Sequence, residues 1–223
     1  MSQRPTPPQG DAPAKRTNDP EGTMACILEM ATAEFADKGL DGARIDAIAA
    51  ATRTSKRMIY YYFGSKQGLY LAVLEEAYRR TRATEAELHL DDLGPTEALA
   101  RLVGFTFDHH HSNQAFIRLV MNENIQRGQY LAQSALIEQL NKPAIRAIEQ
   151  LYTRGVADGS FRAGLEAVDI HASISALSFF NVSNRYTFGL IFQRDPDCAT
   201  LLAQRRANVV DMVLRFVCVA QPT

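Results

Sequence analysis

From Thr23 onward the apolar residues recur at the three- and four-residue intervals of an α-helix. Met24, Ile27, Leu28, Ala31 and Phe35 form one stripe, and Gly39 after Lys38 supplies a stop. Ile45, Ile48 and Ala49 mark a short second helix, and Ser55 caps a third in which Ile59 and Phe63 lie one turn apart. Thr52-Arg53-Thr54 is the tight turn between them. Ser65 caps a fourth helix that carries Leu69, Val73 and Ala77 on one face, with Glu75, Glu76, Arg79, Arg80 and Arg82 toward solvent; Leu93-Gly94-Pro95 closes this unit. Beyond Pro95 the period stays helical, with breaks at Ser112-Asn113, Arg127-Gly128, Asn141-Lys142-Pro143, Asp158-Gly159-Ser160 and Arg194-Asp195-Pro196. Strand-type alternation never persists beyond a few residues. The pattern predicts an all-α protein, a small N-terminal helical unit on a larger helical domain, joined through the long fourth helix.

Composition narrows the classes. With 223 residues, 46% of them apolar, the chain can fill a real core, which excludes a disordered protein. Five of the nine prolines fall in residues 1–20, a stretch that reads as a disordered, mildly basic arm. Cys26, Cys198 and Cys218 are odd in number and lack Cys-x-x-Cys spacing, which argues against a disulfide framework or a cysteine-rich zinc site and points to a reducing cytosol. No apolar run is long enough for a membrane span, and the N-terminus has no signal-peptide core.

Charge becomes informative only locally. The whole chain carries −1, yet between Gly42 and Lys66 the cations Arg44, Arg53, Lys56, Arg57 and Lys66 face Asp46 alone, a local excess of +4. Two short helices joined by a tight turn and packed by Ile45, Ile48, Ala49, Ile59 and Phe63 are what a helix-turn-helix requires. Lys56 and Arg57 stand at the end of the second of these helices that enters a major groove, where they can donate to guanine O6 and N7. Successive residues diverge by about 100°, so Tyr62 packs with Ile59 and Phe63 while Tyr60 and Tyr61 are left for phosphate, thymine methyl or base contact. Lys66, in the first turn of the fourth helix, is suited to clamping a phosphate.

This window resembles the DNA-binding domain of the TetR family of bacterial transcriptional regulators. The family pattern is carried by Ile48-Ala49, Ser55, Tyr60, Phe63, Lys66 and Leu69, and the likeness spans roughly residues 23–75. Two residues depart from it. Thr52-Arg53-Thr54 stands where the family has Ala-Gly-Val, so a left-handed turn residue would be Arg53 and would be strained, a cost that a phosphate contact could offset. Arg44 replaces a Thr that caps or contacts the DNA backbone.

The resemblance implies a symmetric homodimer built on a four-helix bundle, a palindromic double-stranded operator, and a small-molecule effector held by the middle helices. Ile170, Ile174, Leu177 and Asn181, together with Leu202, Val209, Val213, Phe216 and Ala220, supply stripes for the dimer interface. Phe105, Phe116, Met121, Tyr152 and Phe179 are candidate apolar walls for the effector pocket, and Arg118, Asn122, His171 and Asn181 are candidate polar anchors. Asn122-Glu123-Asn124 and Arg127 suggest a helix junction or a polar pocket end. His109-His110-His111 diverge too far to share one metal ion, and no nucleophile elbow, phosphate-cradling loop or HExxH pair occurs.

The expectation is a ligand-responsive repressor without metal or cofactor, in the bacterial cytosol. Residues 1–20 are the arm, 21–66 the DNA-binding domain, 67–94 the connecting helix and linker, and 95–223 the effector and dimerisation domain. The rival reading is a helical small-molecule-binding protein or enzyme whose N-terminal unit does not read DNA.

Overall fold

The computed structural model describes residues 19–219. Apart from Asp19 and Pro20, the N-terminal arm lies outside the described residues, as does Ala220. The α-helices are α1 (Pro20–Gly42), α2 (Ile45–Ala51), α3 (Lys56–Phe63), α4 (Lys66–Ala86), α5 (Pro95–Ser112), α6 (Gln114–Ile125), α7 (Ala135–Ala157), α8 (Ala167–Ser183), α9 (Arg185–Phe192) and α10 (Ala199–Val217). Short 3-10 turns at Leu90–Asp92 and Leu131–Gln133 precede α5 and α7. Among the described residues the only extended pairing is an isolated bridge between Phe161 and Cys218.

Local chemistry sets the boundaries. Asp19 caps α1 by accepting from Gly22 N at 2.9 Å, and Pro20 takes the first turn, where its missing N–H costs nothing. Gly39, at φ 67°, breaks the helical path of α1 where the sequence placed a stop. Ser65 caps α4 through Gly68 N at 2.9 Å. The break expected at Asn141-Lys142-Pro143 does not form: α7 runs unbroken through Pro143. Proline removes one helical bond at a cost of about 3 kcal/mol, but Ile137, Ala144, Ile148 and Leu151 bury one face of α7 and outweigh it.

Two apolar clusters organise the chain. In the first, Ile27, Ala31 and Phe35 of α1, Ile45 and Ile48 of α2 and Ile59 of α3 close around Leu69, Tyr70, Val73 and Leu74 of α4. Phe35 and Tyr70 meet edge to face, with ring centroids 5.1 Å apart. This cluster continues into Leu119 of α6 and Ile137 of α7, so the N-terminal unit is fused to the larger domain rather than hung on one helix. The second cluster joins Leu99, Leu102 and Phe107 of α5, Ile148 and Leu151 of α7, Ile170 and Ile174 of α8, and Val209, Val213 and Val217 of α10.

Candidate nucleic-acid interface and effector cavity

The turn between α2 and α3 is a Schellman closure. Thr54 N donates to Ala49 O (3.0 Å) and Arg53 N to Ala50 O (3.3 Å), and Arg53 adopts φ 52° at the position where glycine is preferred. Ser55 then starts α3 by accepting from Met58 N at 3.2 Å. Ile59 is wholly buried and fixes the helix rotation, while Tyr61 remains 78% exposed. Arg57, Tyr60 and Tyr61, at spacings of three and four, therefore share the outward face.

The basic residues of this unit differ in how free they are. Arg44, Arg53 and Arg57 are exposed and form no ion pair among the described residues. Arg44 also starts α2, with its backbone N–H held by Glu34 Oε1 at 3.0 Å, so the guanidinium projects without a capping duty. Lys56 is ion-paired with Asp46, which shares its charge before any DNA arrives. Lys66 reaches back to Asp41 O (3.2 Å), tying the start of α4 to the end of α1.

A cavity of about 510 Å³ lies among α4, α6, α7 and α8 and the end of α5. Of the expected lining residues it contains Phe116, His171 and Phe179. Phe105 lines a small adjoining recess with His109 and His171. The rings of Phe116 and Phe179 flank His110, each with its centroid 6.4 Å from the imidazole. His110 is buried, and its Nδ1 has no hydrogen-bond partner. Burial, followed by the neighbouring His109, pushes its pKa down to about 4, so the ring is neutral at physiological pH. Burial and then Arg82 also depress His109 and His171.

The cavity residues missed by the sequence reading include Ile117 and Val120 of α6, Ile137, Glu138 and Asn141 of α7, Ser175 of α8 and, most consequentially, Tyr78 and Arg82 of α4. Arg82, expected in solvent, is largely enclosed and paired with Glu85, and its Nε has no partner. Burial raises the Glu85 pKa even against the opposing pull of Arg82. Tyr78, Arg82 and Glu85 lie at i, i+4 and i+7, a spacing that puts them on one face; this was the available signal. Glu75, also expected in solvent, accepts from Ser134 Oγ at 2.6 Å and pins the start of α7.

Other expected pocket residues have structural partners elsewhere. Arg118 donates from Nε to Ala36 O (2.8 Å) and from Nη2 to Asp37 O (3.2 Å), and Asn122 Nδ2 donates to Phe35 O (3.2 Å). Both brace α6 against the C-terminal end of α1. Tyr152 OH bridges Arg162 O and Leu165 N, each at 2.9 Å, and so shapes the α7–α8 loop. Met121 is half-buried on α6 outside the cavity lining. Glu123 accepts from Leu131 N at 2.9 Å and Tyr130 N at 3.3 Å, which makes this stretch a helix junction.

The residues of the expected dimer stripe fall in two different surroundings within the protomer. Ile170, Ile174, Val209 and Val213 belong to the protomer's own core and present nothing outward. Leu177 and Phe216 are half-buried against that same core. Leu202 and Asn181 instead line an open groove of about 530 Å³ between α8, α9 and α10, together with Phe180, Phe188, Phe192 and Leu201. Beside it Leu190 and Ile191 are 82% and 71% exposed, and Arg185 fastens α9 to the following loop through Asp197 at 2.6 and 2.7 Å. The periodicity was real, but two adjacent stripes run along these helices and the enclosed one is the more regular.

A capped recognition helix set by one buried Ile, a basic outer face and a second helical domain fused behind it define a helix-turn-helix transcriptional regulator. Residues 27–73 match the family described as bacterial regulatory proteins, tetR family, and residues 95–213 match the tetracyclin repressor-like, C-terminal domain. The HTH-type transcriptional repressor NicS of Pseudomonas putida is 31% identical over 200 residues, covering 90% of this chain and 94% of NicS. The crystal structure of the transcriptional regulator SCO4942 of Streptomyces coelicolor superposes with a TM-score of 0.65 at 26% identity, over 87% of this chain and 98% of its own. The ketosteroid transcriptional regulator KstR2 of Mycobacterium tuberculosis, at 21% identity, gives 0.66 over 93% and 99% and shares the fold. The chain belongs to the tetR family of bacterial regulatory proteins. Among the described residues no helix is long and apolar enough to cross a membrane.

Proposed function

We propose that the protein is a homodimeric repressor that holds a palindromic operator and is released from it by a small molecule bound in the cavity among α4–α8. The observation that carries this reading is the outward face of α3. Arg57, Tyr60 and Tyr61 are exposed there on a helix whose rotation Ile59 fixes. In this reading Arg57 reads a base edge, Tyr60 and Tyr61 contact phosphate or thymine methyl, and Arg44, Arg53 and Ser55 hold the DNA backbone. Lys56 contributes once DNA competes for its partner Asp46, and Lys66 supports the α1–α4 junction beside the phosphates.

Residues 21–66 form the DNA-binding domain, 67–94 the connector, and the remainder the effector and dimerisation domain, with residues 220–223 lying outside the described residues. The exposed apolar surface of α8, α9 and α10 supports pairing of two protomers, since a patch of this kind on a soluble protein marks an interface. Two-fold pairing places the α3 helices in successive major grooves about 34–36 Å apart. The effector opposes DNA by binding better to a protomer arrangement with the wrong spacing. The protein acts where the chromosome is, in the cytosol, and needs neither cofactor nor metal for this function.

Selection of the full chain against random duplex DNA at physiological salt tests the reading. Enrichment of a palindrome with half-sites one turn apart is expected. A folded dimer that enriches nothing overturns it in favour of a helical ligand-binding protein.

A further inference from the structure

Each wall of the α4–α8 cavity has a distinct chemistry. One side is aromatic: Tyr78 and Phe116 meet edge to face with centroids 5.2 Å apart, and Phe179, like Phe116, has its centroid 6.4 Å from the His110 ring. The other side is polar, with Glu138, Asn141 and Ser175 beside Arg82, His110 and His171. The His110 imidazole is 8% exposed and lacks a partner at Nδ1, and Arg82 lacks one at Nε. Buried polar groups are nearly always satisfied, so unpartnered ones at a cavity wall mark what its occupant supplies. Arg82 Nε can only donate, so the occupant must supply an acceptor, to which His110 Nδ1 adds a second donor in its Nδ1–H tautomer.

The charges select among acceptors. Arg82 disfavours a cation beside it, while one guanidinium already shared with Glu85 is too little for a doubly charged phosphate. A wholly apolar molecule would leave Arg82 Nε and His110 Nδ1 unmet. A single planar carboxylate can take Arg82 from Glu85 and accept from His110, while a ring on the same molecule packs against Phe116 and Phe179. The exchange is favoured because Glu85 is itself poorly placed: burial disfavours its charge more than Arg82 relieves it.

We propose that the effector is a small ring-bearing monocarboxylate, and that its carboxylate replaces Glu85 as the partner of Arg82. The inference rests on the reading of this cavity as the effector site and adds the ligand's chemical class. Since Arg82 and Glu85 both lie on α4, the exchange acts directly on the helix that carries the DNA-binding unit.

Calorimetric titration of the full chain without DNA, at pH 7.5, tests it with benzoate, phenylacetate and cinnamate, each beside its primary amide. At least one acid is expected to bind at least about tenfold tighter than its amide. Glu85→Gln, which frees Arg82, is expected to tighten the acid by about tenfold and leave the amide unchanged. Arg82→Gln abolishes the distinction between acid and amide; if that variant does not fold, the Glu85→Gln comparison decides alone. The proposal is overturned if no acid binds, if acids and amides bind alike, or if Glu85→Gln fails to tighten the acid. An acid that binds yet leaves the operator complex intact defeats the effector reading and not the ligand class. A chain that holds its operator but takes up no acid defeats the ligand class alone.

Discussion

Replacing Arg53 by glycine separates what the α2–α3 turn costs in folding from what it gives in binding. Arg53 occupies the C′ position of a Schellman closure at φ 52°, which costs an L-residue roughly 1–2 kcal/mol. Glycine removes that strain but loses about 0.5–1 kcal/mol through the greater entropy of its unfolded chain. The net gain is at most about 1.5 kcal/mol, or a rise in melting temperature of up to about 3–6 °C for a chain of this size. The side chain, exposed and without an ion pair among the described residues, is free to hold a phosphate. Losing one such contact per protomer lowers the slope of log affinity against log salt by about 0.9 each, close to 2 for a dimer. Arg53→Gly should therefore be more stable in denaturant melts and bind operator more weakly, with a shallower salt dependence in fluorescence anisotropy. A variant that is less stable refutes the strain assigned to Arg53, and one whose salt slope equals that of the parent refutes the contact.

Arg57→Ala should cost about 1–3 kcal/mol of operator affinity and relax preference at one base position, read by selection on randomised half-sites. Stability should fall as pH drops from about 6.5 toward 4. The unfolded state takes up a proton on His110 there while the folded state, with a pKa near 4, does not; the loss reaches roughly 3 kcal/mol and should shrink in His110→Gln, measured by urea melts at pH 7 and pH 5. Removing the brace between α6 and α1 with Arg118→Ala and Asn122→Ala deletes four hydrogen bonds, one of them to the Asp37 carboxylate, worth about 0.5–1.5 kcal/mol each. Hydrogen exchange should then speed up in α1–α3 more than in α5, and uniform acceleration would argue against a brace. Phe188→Glu with Phe192→Glu should shift the sedimentation of the protein from dimer to monomer, and an unchanged dimer would place the interface elsewhere.

The parts of the fold that the sequence disclosed are those governed by local rules. Ser55 and Ser65 announce their helices because a hydroxyl one residue before an apolar stripe has a definite job, and Arg53 could be suspected of a left-handed backbone because the turn offers no glycine. What stayed hidden depends on which of two faces a helix buries. Arg82 and Glu75 look like solvent-facing charges on α4, and only the packing of α7 and α8 encloses them. Arg118 and Asn122 have the polarity of ligand anchors but find backbone carbonyls more than eighty residues away. On α8 and α10 the regular stripe is spent on the protomer's own core, leaving a less regular outer face of Phe180, Leu201 and Leu202. Periodicity shows that a face is buried and is silent about what buries it.

The same two helices form the cavity wall and hold the DNA-binding unit, which gives the coupling a physical route. α4 presents Tyr78 and Arg82 to the cavity and, about one to three and a half turns earlier, Leu69, Tyr70, Val73 and Leu74 to the core around α1–α3. α6 presents Phe116, Ile117 and Val120 to the cavity, while Leu119 enters that same core and Arg118 and Asn122 grip the end of α1. A ligand that changes the spacing of α4 and α6 by the width of its ring cannot leave both grips unaltered, because packed side chains slip between discrete arrangements rather than stretch. The end of α1 lies beside the start of α2, and Lys66 ties Asp41 to the first turn of α4, so a slip there turns α3 as part of one body. Coupling then requires no long chain of intermediaries: on α6 the cavity-facing Phe116 and Val120 lie within one turn of Arg118 and Asn122, which grip α1, and on α4 one continuous helix runs from the cavity to the core that seats α3.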